Sequence, residues 1–238
     1  MNKRNIIVET IHLLSFITLT VFGTSLLGSD LLVVASFKNG EVFYQRDKKE
    51  LEVTKGQIFE KKDKIQTKNG ILDLQVGLNS IIRIGKFTSI SLTDLLDEKG
   101  KLKVNINLNS GSVLAKVNKK LDKNSEFKIT TPTKTAGVRG TQFLVQEGED
   151  TESPKEKIED GVYVSEGVVE VKADKSNKPI SVKAGQELIT SQNELKLQIL
   201  NSLAQEKIKI LDSLNIMNET NYKSLQEQYQ KNKDLMKK

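Results

Sequence analysis

Lys101-Leu102-Lys103-Val104-Asn105-Ile106-Asn107-Leu108 alternates without a break: every even position is apolar and every odd one polar. A period of two sends successive side chains to opposite faces of an extended chain, so the segment predicts a strand with one buried and one wet face. The same alternation runs outward in both directions, through Leu72, Leu74, Val76 and Leu78 on one side, and through Phe127 and Ile129, Phe143 and Val145, Ile180 and Val182 on the other. Lys38-Asn39-Gly40, Lys68-Asn69-Gly70, Glu98-Lys99-Gly100 and Asp160-Gly161 punctuate these runs with residues suited to tight turns. Leu31 to Ile189 is therefore expected to be all-β, a sandwich, roll or barrel of short antiparallel strands.

Three stretches, Val76 to Ile84, Leu108 to Val117 and Val164 to Val171, share a strand, a short polar or glycine corner and a second strand. In the last two, Asn109-Ser110-Gly111 and Ser165-Glu166-Gly167 precede Val113 and Val169, which reads as one reused unit bent at glycine. The acid-rich segment Glu147 to Asp160, with Gly148 and Pro154, is predicted to be a polar loop projecting from the sheets. At Gln192 the period changes. Leu200, Leu203, Ile208, Leu211, Leu214, Tyr222, Leu225, Tyr229 and Met236 recur three to five residues apart, predicting one long amphipathic helix bent near Asn218 to Asn221. It would either pack on the β body or serve as an oligomer or partner contact.

Composition removes several chemistries. The 238 residues hold 37 Lys plus Arg, 31 Asp plus Glu, a single His, no Cys and no Trp. His12 lies in the amino-terminal apolar stretch, so the expected body has neither imidazole nor thiol. Ser-His-Asp and Cys-His catalysis, Cys/His zinc sites and disulfides are thereby excluded from it. No cofactor or metal is expected. The net charge of +6 is mild, and both signs interleave along the chain.

The first residues carry Lys3 and Arg4, and from Thr10 to Ser29 no charged side chain of Asp, Glu, Lys or Arg occurs. A basic head before an apolar run predicts a signal peptide or amino-terminal anchor over residues 1–29, with membrane contact only through residues 6–28 if it is uncleaved. Three segments follow: the leader, a β domain over 30–190 and a helical segment over 191–238. The body is expected to be exported, in the periplasm or cell envelope. Leu26-Leu27-Gly28-Ser29 has serine where a lipoprotein would carry its lipid-bearing cysteine, so lipidation of that kind is excluded.

Several segments, in order, resemble the FecR domain of bacterial envelope proteins: Gly56-Gln57, Asp63-Lys64-Ile65-Gln66-Thr67, Asn79-Ser80-Ile81-Ile82-Arg83-Ile84-Gly85, Leu108 to Val113 and Phe127-Lys128-Ile129-Thr130-Thr131-Pro132. Ala136-Gly137-Val138-Arg139-Gly140-Thr141-Gln142-Phe143, Val162 to Val171 and Val182-Lys183-Ala184-Gly185-Gln186 complete the series. The resemblance implies an extracytoplasmic all-β module. The family's best-known members are transmembrane regulators of iron uptake that control a sigma factor through a cytoplasmic segment. Few residues precede the apolar run here, so the expectation is a binding or scaffold module without that segment. The alternative is a signalling component working with a separate membrane partner.

Candidate contacts are few. Arg139, with the backbone around Gly137, Gly140 and Thr141, could hold an anion, although a structural bend is the favoured reading. Lys101, Lys103 and Lys116 belong to a run of lysines that could face an anionic surface, a cell-wall polymer or an acidic protein, or could simply be a solvated face. Nucleic acid is not expected. A cell-wall hydrolase would need paired carboxylates, for which Asp94, Asp97 and Glu98 or Glu147, Glu149 and Asp150 are the clusters available; turn positions of that kind leave carboxylates ordinary. Ser112 and Lys116 would share one wet strand face, which makes their spacing unremarkable.

Overall fold

A computed structural model describes residues 31–78, 80–98, 101–117, 125–148, 157–174, 176, 178–191, 194–214 and 216–236. The expectation for residues 1–29 lies outside them. The strands are β1 (Val33–Asn39), β2 (Val42–Arg46), β3 (Lys49–Glu52), β4 (Ile58–Phe59), β5 (Lys64–Thr67), β6 (Ile71–Val76), β7 (Ser80–Ile84) and β8 (Ser89–Glu98). They continue with β9 (Lys101–Val117), β10 (Glu126–Thr130), β11 (Lys134–Val138), β12 (Thr141–Glu147), β13 (Gly161–Glu166), β14 (Val168–Ala173), β15 (Ile180–Lys183), β16 (Gln186–Ser191) and β17 (Glu194–Ile199). Helices α1 (Ser202–Lys209) and α2 (Glu219–Leu235) follow.

Pairing sorts the strands into two layers. Layer A runs β4-β1-β6-β7-β9-β12-β13-β16-β17, antiparallel throughout. Layer B runs β3-β2-β5-β8-β9-β10-β11-β14-β15. Strand β9 belongs to both: Lys101 to Ser110 pairs in layer B and Gly111 to Val117 in layer A. One apolar core, from Val33 and Ala35 through Val104, Ile106, Val113 and Phe143 to Leu188, fills the space between the layers.

The expectation of short antiparallel strands fails at β9. It is 17 residues long, and its pairing with β10 is parallel, Phe127 opposite Val104 and Ile129 opposite Ile106. The cause is the layer change. Because β9 leaves layer B and ends in layer A, the chain returns to layer B from across the core and re-enters it running the same way as β9.

The reused corner is real in two of its three proposed copies. At β9 the partner residues step from Ile90 opposite Leu108 to Ser89 opposite Ser110, leaving Asn109 as an extra residue. At β13 they step from Phe143 opposite Val164 to Gln142 opposite Glu166, leaving Ser165 extra. A bulge shifts the inward parity by one, so Val104, Ile106 and Leu108 give way to Val113 and Ala115, and Val162 and Val164 to Val169 and Val171. Two residues after each bulge stands a glycine at positive φ, Gly111 at 91° and Gly167 at 79°, and there the chain changes layer. A Cβ on Gly111 would lie 2.6 Å from Thr88 Cα, and one on Gly167 2.5 Å from the Gly140 carbonyl oxygen. The third copy, Val76 to Ile84, is a hairpin from β6 to β7 within layer A.

The helical segment also differs from expectation. Glu194-Leu195-Lys196-Leu197-Gln198-Ile199 is strand β17, paired antiparallel to β16. Those six residues keep the period of two, and the wider apolar spacing begins only at Leu200. The remainder is two short helices: α1, closed by a 3-10 turn at Ile210–Ser213, and α2. The break matches the predicted bend, with Asn218 as the cap of α2, its side chain accepting from Asn221 N at 2.9 Å. The carboxylate of Glu187, fully buried, sets the strand-to-helix turn by accepting from Gln198 Nε2 (2.6 Å), Asn201 N (2.9 Å) and Asn201 Nδ2 (2.7 Å). Asn201 then caps α1 by accepting from Ala204 N.

Both helices spend their apolar faces on layer A. Ala204, Ile208 and Leu211 pack with Leu114, Leu144, Ile158 and Tyr163. Tyr222 packs with Leu32 and Val34, with Leu225 and Tyr229 alongside. The end of the acid-rich loop is likewise folded in, since Ile158 is buried under α1 and Tyr163 Oη donates to the Glu159 carbonyl at 2.6 Å. Residues 149–156 lie outside the described ones. No helix among the described residues is long and apolar enough to cross a membrane.

Candidate binding surface

Covering layer A leaves two outer faces of different character. On layer A the outward residues of the central strands are buried as well as the inward ones: all seven residues of β12 are buried, as are five of the six in β6. The polar groups this encloses are paired. Arg83 donates to Asp73 through Nε at 2.7 Å and a terminal nitrogen at 2.8 Å, and Asp73 is 2% exposed. Gln75 Oε1 accepts from Met217 N at 2.7 Å, fixing the link between the helices. Tyr222 Oη accepts from Leu32 N at 3.0 Å. Between α1 and layer A remains a cavity of about 220 Å³, floored by Leu114, Leu144 and Ile158 and walled by Arg83, Glu206 and Ile210.

Layer B keeps its outer face open. Lys103, Asn105 and Asn107 on β9 stand beside Glu126, Lys128 and Thr130 on β10, residue opposite residue. Thr135 and Gly137 of β11 come next, then Lys172 and Glu170 of β14. Thr130 Oγ1 donates to Asn105 Oδ1 at 3.1 Å, and Lys128 Nζ to Glu126 at 3.0 Å. Asp94, opposite Asn105, is bridged by Lys61 at 2.9 Å, and that hydrogen bond, with the charges of Lys61 and Lys103, holds its carboxyl below the usual value.

The candidate residues fall in three places. Lys101 and Lys103 are exposed on the open face, among carboxylates rather than in a purely basic patch. Lys116 is on the other layer, where Nζ donates to Asp212 beyond α1 at 2.8 Å; Gln142 Nε2 joins it at 3.0 Å. Asp212 is held below its ordinary pKa by the Lys116 bond first and the Gln142 bond second. One basic face containing all three lysines is therefore corrected: β9 changes layer between Lys103 and Lys116. Of the wider run, Lys99, Lys119, Lys120 and Lys123 lie outside the described residues.

Arg139 is exposed at the corner between β11 and β12. Gly140 has φ 63° there and backs onto Gly167, while Thr141 is buried against it. Gly137 plays no part in the bend: it lies within β11 opposite Glu170, leaving a flat spot in the middle of the open face. The corner is thus a packing joint between two layer changes.

The buried ionic groups lie outside the candidate residues. Asp63 accepts from Arg46 Nε at 2.8 Å and from Glu60 N at 2.8 Å, and this pairing raises the Arg46 pKa, the hydrogen bond to Asp63 contributing most. Tyr229 of α2 donates to Glu60 at 2.9 Å, extending the group to the second helix. Glu147, expected to be an ordinary solvated carboxylate, is buried against Lys134 at 2.7 Å. The signal for Lys134 is parity, since it shares the inward phase of Ala136 and Val138. Among the described residues, Asp63, Asp73, Glu147 and Glu187 are the buried carboxylates, each tied to its own structural partner rather than set across a cleft.

The fold and this face define a two-layered β module with an open polar side. The family model described as FecR protein matches residues 63–170. The matched stretch reaches from the start of β5 through the reused corners into β14. Similar solved structures include two crystal structures of a protein described as a candidate anti-sigma factor from Parabacteroides distasonis ATCC 8503, at 15% identity and TM-scores of 0.47 and 0.48. Each match covers 62% of this chain and 64% or 63% of the other, so less than two thirds of that relative's length is spanned. No curated protein matches.

Proposed function

We propose that this chain is a non-enzymatic, extracytoplasmic FecR-domain binding module of the bacterial envelope that meets a protein partner on the open face of layer B. The observation that carries the reading is the asymmetry of the layers: the chain's own helices cover layer A, and layer B presents Lys103, Glu126, Lys128, Glu170 and Lys172 to solvent. Alternating signs suit a protein surface with its own mixed charges better than a uniformly anionic polymer. The FecR domain supports a regulatory role exercised through a partner. Export rests on the basic head and apolar run of residues 1–29.

The test uses the full chain in envelopes. Lys103→Glu with Lys128→Glu should abolish capture of the partner while thermal unfolding is unchanged; unchanged capture contradicts the assignment of the face. Fractionation that leaves the native protein in the cytosol contradicts the location. The FecR domain also favours a second reading, a signalling component acting with a separate membrane regulator. Crosslinking in cells that recovers such a regulator supports it, and recovery of soluble envelope proteins alone removes it.

A further inference from the structure

Lys134, Glu147 and Asp160 meet at one end of the two layers, away from the open face. Lys134 begins β11 in layer B, Glu147 ends β12 and Asp160 immediately precedes β13 in layer A. The lysine side chain is 1% exposed, and its Nζ donates to Glu147 Oε2 at 2.7 Å, to Thr133 Oγ1 at 3.2 Å and to the Asp160 carboxyl. Thr133 Oγ1 lies 3.3 Å from Glu147 Oε2, and Thr131 Oγ1 accepts from Lys134 N at 3.1 Å, so both ends of the lysine and the carboxylate beside it are held.

One ammonium faces two carboxylates, Glu147 buried and Asp160 part-exposed, so the cluster carries an excess of negative charge. Burial first, and the charge of Glu147 second, push the Asp160 carboxyl up, against the opposing pull of Lys134. By geometry the three groups supply what amide formation requires: an amine donor, a carboxyl acceptor within its reach and a base touching the donor.

We propose that Lys134 and Asp160 become joined by an intramolecular amide bond, with Glu147 carrying the proton. The Lys134 ammonium gives a proton to the Glu147 carboxylate. The neutral Nζ then attacks Cγ of the protonated Asp160 carboxyl to form a tetrahedral intermediate. The proton on Glu147 passes to the departing hydroxyl, which leaves as water, and the surplus proton on nitrogen returns to Glu147. One N–C bond forms, one C–O bond breaks, and no oxidant or reductant is needed. The product replaces a buried ion pair by a neutral amide, removing the desolvation cost of both charges. It ties layer B to layer A in a chain whose sequence has no cysteine for a disulfide.

The experiment is mass spectrometry of the purified full chain after denaturation, intact and digested. The expected intact mass is that of the polypeptide, from whatever residue it begins, less one water, and the digest yields a branched peptide containing both Lys134 and Asp160. Glu147→Gln and Lys134→Arg should each restore the missing water and abolish the branched peptide. Linear peptides carrying an unmodified Lys134 and an unmodified Asp160 from the folded wild-type protein overturn the proposal and leave an ordinary ion pair. Since the wild-type digest decides, the outcome stands even if a variant fails to fold.

Discussion

The two layers share one core and one strand, yet their outer faces follow opposite rules. Layer B alternates, apolar inward and polar outward, and its outer charges sit in water. Layer A is buried on both sides in its centre, and every charge there must be paired. A polar substitution that is harmless on one layer is costly on the other, and surface available to a partner is concentrated where the helices do not reach.

The sharpest way to break this contrast is to orphan a charge on layer A. Asp73→Ala leaves Arg83, mostly buried, without its carboxylate, and is expected to cost about 3–5 kcal/mol in urea unfolding. Next are the layer changes. Gly111→Ala forces alanine into positive φ, about 1–2 kcal/mol for conformation alone, with the Thr88 clash added. Its control is Gly137→Ala on the open face, where an added Cβ meets only the Glu170 carbonyl oxygen at 3.8 Å; it should be neutral or stabilise by up to about 1 kcal/mol. Both are read from the denaturant midpoint.

Smaller effects follow at the helix contacts. Tyr222→Phe leaves the buried Leu32 N–H without its acceptor and should cost about 1 kcal/mol or somewhat more, with amide exchange at Leu32 accelerated. Lys116→Ala removes an exposed ion pair and should cost under about 1 kcal/mol. Because the Asp212 carboxyl is held below its ordinary value in the fold, this pair contributes at pH above that ordinary value and loses its contribution as pH falls through the depressed one. Thermal unfolding of wild type and Lys116→Ala should therefore converge in acid. Smallest of all, Lys103→Ala on layer B should stay within about 0.5 kcal/mol.

The difference between the layers also explains what could be read from sequence. Lys101 to Leu108 lies in layer B, wet on one face, so its period of two announces the strand. The corners at Gly111 and Gly167 were readable because the same bulge-and-glycine device is written twice. Glu194 to Ile199 alternates and is a strand, but the wider apolar spacing that begins at Leu200 adjoins it and masks the boundary between strand and helix. Lys116 shares a strand with Lys103, yet the layer change at Gly111 separates them, and that consequence of three-dimensional path is absent from spacing. Lys134, Glu147 and Asp160 stand apart in sequence and converge only where β11 begins, β12 ends and β13 begins.

Photocrosslinking in cells reads whether the proposed partner meets layer B, the layer that the chain's own helices leave open. A photoreactive residue is placed at position 128 on layer B or at position 206 on α1. Crosslinks to another protein are expected from position 128 and none from position 206. Crosslinks from 206 with none from 128 would contradict a partner on layer B.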